Sequence, residues 1–304
     1  MACLRTLFFL GKGGTGKSTA SALISLVLKE KGKKVVLASF DDAHNQADIF
    51  EAVFSDKACS LGPCLEVLQI DRDKQIKRYL AKTAKQVKAS FAYLTAFNLD
   101  HYFDILKFSP GMEEYALVAA FTDLVARYKT HDYLVIDMPP TALSLRFFNL
   151  PSLSLTWTDQ LEKLRNQINE KKEIISRITL AGKEFERDKI LQRLLQIKSD
   201  YQALKALFED PAQTSFYVVF NRDVLSVAET RRVIEHLDRQ VIKPRGLICN
   251  ERTGANGFIQ TVETLFPGIP IQTIPYSSAS LIGMEALAQH IRSNELTFDK
   301  ILPE

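Results

Sequence analysis

"FLGKGGTGKSTA", residues 9–20, sets four glycines and two lysines between a short apolar run and an apolar segment with helical spacing. The pattern G-x-x-x-x-G-K-[ST] falls on Gly11, Gly16, Lys17 and Ser18, with a strand expected before it and a helix after it, the setting in which that pattern binds phosphate. Glycines at Gly11, Gly13, Gly14 and Gly16 let successive backbone N–H groups converge on one anion, and the helix N-terminus adds its partial positive charge. Lys17 is placed to reach the β- and γ-phosphates of a nucleotide and the Ser18 hydroxyl to ligate Mg²⁺, while Thr15 and Thr19 belong to the same binding stretch.

Working outward, apolar runs recur at Leu7–Leu10, Val35–Ser39, Leu65–Ile70, Tyr133–Asp137, Phe216–Phe220, Leu247–Asn250 and Ile269–Ile274. Short runs of this kind, mostly separated by stretches long enough for helices, read as strands covered on both faces. The expected fold is therefore α/β: a mostly parallel P-loop NTPase sheet flanked by helices. Lys17 to Lys31 carries Ala20, Leu23, Ile24, Val27 and Leu28 at helical spacing and stops at Gly32, a C-terminal glycine. Two longer segments break the rhythm. Asp71 to Lys129 has Ile76, Leu80, Val87, Phe91 and Leu94 at helical spacing, followed by the aromatic-rich "HYFDILKF". Thr156 to Asp210 has Leu161, Leu164, Ile168, Ile175 and Ile178 and, after Ala181-Gly182, Leu191, Leu194, Leu195, Tyr201, Leu204 and Phe208. The expectation is a single P-loop ATPase domain over residues 1–304 with helical insertions at about 71–129 and 156–210.

A phosphate-binding loop needs a carboxylate on the metal side and a group that orients water, and α/β sheets gather both at the C-terminal ends of their strands. "YLVID" delivers Asp137 in the Walker B arrangement, where it is expected to hold Mg²⁺ through water. "VVLASFDDAHN" ends its strand with Asp41 and Asp42, either of which is placed to polarise water near a γ-phosphate.

With 46% hydrophobic and 25% charged residues and a net charge of +3 on 304 residues, the chain reads as an ordinary soluble protein without a nucleic-acid footprint. No run approaches the twenty apolar residues that span a bilayer, so no stable membrane insertion and a cytoplasmic location are expected. Cys3, Cys59, Cys64 and Cys249 contain no C-x-x-C pair; they suggest neither a disulfide framework nor a metal centre.

Nearly end to end, the chain resembles the ATPase family that contains the arsenite-pump ATPase ArsA and the ATPase that targets tail-anchored membrane proteins, within the deviant Walker A group that includes MinD and ParA. "KGGTGKS" matches the deviant P-loop, "SFDDAHNQAD" looks like switch I (S-T-D-P-A-H-N-x-x-D) and "DMPPTALSLRFFNLP" like switch II. "SPGMEE", "VFNRDVLSVAETRR", "LICNE" and "IPYSSASLIGMEAL" follow in family order. The resemblance implies an ATP-hydrolysing homodimer in which Lys12 reaches the partner's nucleotide and Lys17 serves its own. It gives Asp41 the hydrolytic position, Asn250 the adenine contact and Pro275 a place in the loop beside the base. The chain departs from the pattern at Phe40 and Asp42, where Thr and Pro are usual, and at Ala142-Leu143-Ser144, where Gly-His-Thr is usual.

Function follows from what such an ATPase drives. The favoured expectation is binding and delivery of an apolar helix client, with residues such as Leu191, Leu195 and Phe208 of both subunits joined into one composite groove. The alternative is energising a membrane transporter subunit that exports arsenite or another anion. A MinD- or ParA-like positioning switch is disfavoured, because "HIRSNELTFDKILPE" is neither an amphipathic membrane helix nor a basic DNA patch.

Overall fold

The computed structural model describes residues 4–43, 45–90, 105–178, 188–250 and 258–302. In chain order its elements are β1 (Arg5–Leu10), α1 (Lys17–Glu30), β2 (Val35–Ser39), α2 (Asn45–Phe50), β3 (Cys59–Ser60), β4 (Leu65–Gln69), α3 (Arg72–Ser90), α4 (Met112–Arg127), β5 (Tyr133–Asp137), α5 (Thr141–Ile178), α6 (Lys189–Glu209), β6 (Thr214–Asn221), α7 (Val224–Arg239), β7 (Gly246–Asn250), α8 (Phe258–Leu265), β8 (Ile271–Ile274), α9 (Met284–Ser293) and α10 (Glu295–Ile301). The strands form one eight-stranded sheet in the order β3-β4-β2-β5-β1-β6-β7-β8. All neighbours are parallel except β3 and β4, so the expected α/β sheet is the one observed.

Side chains alternate across the sheet, and both faces are covered. Leu7 and Phe9 of β1 point to the side packed by Leu23, Ile24 and Val27 of α1, Phe50 of α2 and Phe298 of α10. Phe8 and Leu10 point to the other side, against Phe121 of α4, Phe147 and Phe148 of α5, Phe208 of α6 and Leu237 of α7. The ring of Phe8 lies 5.0–6.3 Å, centre to centre, from those of Phe121, Phe147, Phe148, Phe208 and Phe216. This aromatic knot pins α4, α5 and α6 to the centre of the sheet.

Helix α5 begins at Thr141 and passes through Thr156 without interruption, carrying Pro151 inside its 38 residues. Beyond the core its apolar residues do not all find cover: Leu161, Leu164 and Ile168 are exposed, as are Trp157 on α5 and Leu195 on α6. Phe208 behaves oppositely. It is 3% exposed within the aromatic knot, which corrects the expectation that it joins Leu195 in a surface groove: helical spacing marks an apolar side chain without saying what it faces. Phe91 and Leu94 lie outside the described residues.

The α5–α6 hairpin is closed by charge. Arg165 forms a two-pronged contact with Asp188, Nε to Oδ2 at 2.8 Å and Nη2 to Oδ1 at 3.0 Å, while Asp188 also caps α6 by accepting from the N–H groups of Ile190 and Leu191. The Arg165 guanidinium holds the Asp188 carboxyl well below its ordinary range. Among the described residues no helix is long and apolar enough to cross a membrane.

Truncation separates the core from the open face. Phe208→Ala should lower unfolding stability by about 3–5 kcal/mol, and Leu195→Ala by less than about 1 kcal/mol, in denaturant titrations. Similar losses at both positions would contradict the opposite environments described for them.

Candidate functional site

The carboxyl ends of β1, β2 and β5 meet in register, with Asp137 paired to Phe9 on one side and Ser39 on the other. The loop from Gly11 to Gly16 therefore leaves β1 with Asp137 of β5 on one side and the end of β6 on the other. Gly11 has φ +142°, and a Cβ there would stand 2.1 Å from the Val219 carbonyl oxygen of β6. Gly16 has φ +90°, and a Cβ there would stand 2.4 Å from Asn250 Nδ2. Gly11 demands glycine twice over, by conformation and by the backbone it would strike, and Gly16 by conformation, with the tip of the Asn250 side chain filling the space beside it. Between them the Thr15 hydroxyl donates to the Lys12 carbonyl at 2.8 Å, closing the loop on itself.

Lys17 and Ser18 open α1 and are buried, Lys17 to 4% exposure, whereas Lys12, Gly13 and Gly14 are exposed on the loop's outer rim. Thr19 is half-buried in the same first turn. Lys17 Nζ lies 4.0 Å from Asp41 Oδ2. Asp41 is itself fixed: its Oδ1 accepts from the Ala43 N–H at 3.1 Å and its carbonyl from Gln69 Nε2 at 2.6 Å. The structure thus brings Lys17, Ser18, Asp41 and Asp137 together and leaves Lys12 facing outward. Asn250 lies behind the loop, its Nδ2 donating to the Thr15 carbonyl at 3.1 Å, and half-buried Pro275 follows the end of β8.

Asp137 has no exposure at all. Its Oδ2 accepts from Gln46 Nε2 at 3.0 Å and from the Ser39 hydroxyl at 3.3 Å, while Oδ1 has no partner among the described residues. Burial pushes this carboxyl up to about 6, against the opposing pull of the Ser18 hydroxyl, the Gln46 amide and the Lys17 charge. Gln46 also donates toward the Ser18 carbonyl at 3.1 Å and the Ser21 hydroxyl at 3.0 Å, and Asn45 donates to the Ser18 hydroxyl at 3.3 Å.

Sequence reasoning missed Gln46, Gln69 and Arg72. Arg72 Nη2 lies 2.8 Å from Asp42 Oδ2, so Asp42 is turned to the start of α3, away from the Lys17 contact that Asp41 makes. None of the three carries a spacing signal. The one available hint was a polar residue, Gln69, at the end of an apolar strand. Among the described residues no group of three or more His, Cys, Asp or Glu side chains gathers as a metal centre, and Cys59, Cys64 and Cys249 form no disulfide.

A model of the family described as anion-transporting ATPase matches residues 4–293. Over 315 aligned residues the chain is 28% identical to the arsenical pump-driving ATPase 2 of Aquifex aeolicus, with 99% of each chain covered. It is 25% identical to the arsenical pump-driving ATPase 1 of the same organism, over 93% of this chain and 77% of that one. With the ATPase ASNA1 homolog of Cryptosporidium parvum it shares 27% identity over 250 residues, 82% of this chain and 65% of the other.

The raised carboxyl of Asp137 has a signed consequence in protein freed of nucleotide and divalent ions. Its ordinary value is 3.8, so between about pH 4 and pH 6 the native state holds a proton that the unfolded state has released, and stability falls as pH rises through that window. Asp137→Asn, whose Oδ1 still accepts from Gln46, should stabilise that form by up to about 3 kcal/mol near pH 7.5 and by almost nothing near pH 4. A stability gain independent of pH, measured by thermal unfolding, would contradict the assignment.

Proposed function

Because this chain belongs to the anion-transporting ATPase family and is an ATPase, we propose that it works as a Mg²⁺-dependent homodimer whose nucleotide state controls binding and delivery of an apolar helical client. ATP, when bound, supplies the phosphoanhydride that water cleaves, and Mg²⁺ the charge that steadies the phosphates. The unpartnered Oδ1 of Asp137, buried beside Ser18, is the observation that fits a metal: Ser18 would ligate it directly and Asp137 through water.

The N–H groups from Gly11 through Gly16, with Thr15 and Thr19, cradle the phosphates. Lys17 supplies the buried cation facing them. Asp41, held by Ala43 and Gln69, orients the attacking water, and Asn250 with Pro275 borders the base. Lys12 stands exposed on the rim of the loop, where a second copy would meet it, and that position supports a role completed in trans.

The client reading is carried by one observation, the open cleft of about 890 Å³ between α3, α4, α5 and α6. Tyr79, Tyr115, Trp157, Leu161 and Leu194 line it, and the exposed apolar row of α5 continues past it through Leu164 and Ile168. Its apolar lining suits one face of a transmembrane helix, whose roughly 2,400 Å³ over about 30 Å of length exceeds what a single cleft encloses.

The second reading, an ATPase energising an arsenite or anion exporter, draws on the Aquifex relative that matches along its whole length and is named for driving an arsenical pump. A model transmembrane peptide should be captured in the presence of a non-hydrolysable ATP analogue, with slowed hydrogen exchange in α3 and α5. No capture together with arsenite-stimulated hydrolysis would replace the client reading with the exporter.

Chemistry and assembly are tested separately. Asp41→Asn keeps the side chain's shape without its charge, so it should bind Mg-ATP with affinity near wild type and lose at least about 100-fold in turnover. Mixed dimers of Lys12→Ala and Lys17→Ala chains should recover activity at the one composite site holding both lysines, where each homodimer is inactive. Heterodimers that form and show no recovery would place Lys12 in cis or give it a structural role only.

A further inference from the structure

Asp42 stands at a position where the resembling family has proline, and in this chain it has a charged partner. Its Oδ2 lies 2.8 Å from Arg72 Nη2, and the other terminal nitrogen, Nη1, lies 3.4 Å from Glu113 Oε2. Arg72 is the first residue of α3, and Glu113 lies in the first turn of α4. The next residue, Glu114, is buried and takes Arg146 Nε of α5 at 2.9 Å. Meanwhile Gln69, three residues before Arg72, holds the Asp41 carbonyl at 2.6 Å. The turn that bears Asp41 is thus tied twice to the β4–α3 junction, once through the backbone and once through charge.

The charges explain why an arginine is needed. Burial and the neighbouring charges of Asp41, Glu113 and Asp73 all disfavour a charge on Asp42, and Arg72 is the cation set against them. A guanidinium presents two separate nitrogens to two carboxylates on different elements, which a lysine ammonium does with far less geometric definition. Each pair is partly exposed and weak alone. What matters is which elements they join: α3, α4 and α5, linked near their N-terminal ends, are three of the four helices that line the cleft.

We propose that Arg72 is a positioning residue that links the Asp41-Asp42 turn to the cleft, its guanidinium tying Asp42 to Glu113 so that the nucleotide state sensed at Asp41 is passed to α3 and α4. The inference rests on the ATPase reading of Asp41 and adds to it a route from the site to the helices. A change at the turn alters the grip of Asp42 on Arg72, and α3 shifts against α4 because the same guanidinium holds both.

Trp157, the chain's single tryptophan, lines the cleft at 61% exposure and reports on it directly. The test is a double-mutant cycle with Asp42→Ala and Arg72→Ala in the full chain, read by the change in Trp157 emission on adding Mg-ATP and by steady-state hydrolysis. Each single variant should shrink the emission change and kcat by roughly two- to five-fold, with KM for ATP held because the P-loop is untouched. The double variant should be no worse than either single one, and Arg72→Lys should fall between Arg72→Ala and wild type. Should Arg72→Ala fail to fold, Arg72→Gln carries the same cycle.

Additive losses in the double variant, or a full emission change in Arg72→Ala, would overturn the relay and leave the ATPase reading standing. A wild-type chain that hydrolyses ATP with no emission change would also overturn the relay alone. A wild-type chain that fails to bind Mg-ATP in calorimetry would remove the ATPase reading and the relay with it.

Discussion

A carboxylate with no access to water, Asp137, is the constraint around which this end of the sheet is organised. A charge so placed is expensive unless donors replace its hydration, and its proton affinity rises accordingly. The donors come from different elements: Ser39 from β2 and Gln46 from α2. Gln46 can serve only if α2 lies against the first turns of α1, which its further contacts with Ser18 and Ser21 secure. Asn45 is thereby brought onto the Ser18 hydroxyl. One buried oxygen pair thus sets where the segment after Asp41 sits relative to the P-loop.

The loop itself is held from behind. Gly11 has the Val219 carbonyl where a side chain would be, and Gly16 has the Asn250 amide there, so β6 and β7 press on both ends of the turn. The loop's curvature is therefore matched to the folded sheet behind it. Lys12 is left on the outer side of the same curve, with its carbonyl spent on Thr15 and its side chain in solvent.

Much of this was legible in the sequence because it is written at short range. The apolar runs become strands with shifts of a residue or two at their ends, and Lys17, Ser18, Asp41 and Asp137 converge because they follow strand ends in a parallel sheet. Strand β3 was not legible: two residues paired antiparallel at an edge carry no periodicity. Gln46, Gln69 and Arg72 were not legible either, since each acts on a residue remote in sequence and no spacing rule connects them. Phe208 and Leu195 show the same limit within one helix. Both satisfy helical spacing, yet one completes the aromatic knot around Phe8 and the other faces solvent.

Helix α5 joins the two regions that local reading keeps apart. Its first turns follow Asp137 and plant Phe147, Phe148 and Leu150 in the core, and its later turns carry Trp157, Leu161, Leu164 and Ile168 into the open. At 38 residues it is about 57 Å long, far beyond what the sheet can cover. Pro151 sits where the buried part gives way to the exposed part, and proline there removes one backbone hydrogen bond and crowds the preceding turn. The helix nonetheless continues, because Phe147 and Phe148 anchor one side of the proline while Lys198 of α6 pairs with Asp159 and Glu162 on the other. The core thus fixes one side of the proline, and a shared pair of partly exposed ion contacts orients the other. The relay proposed through Arg72 would then have a second path beside it, the length of α5 from the Asp137 end to the cleft.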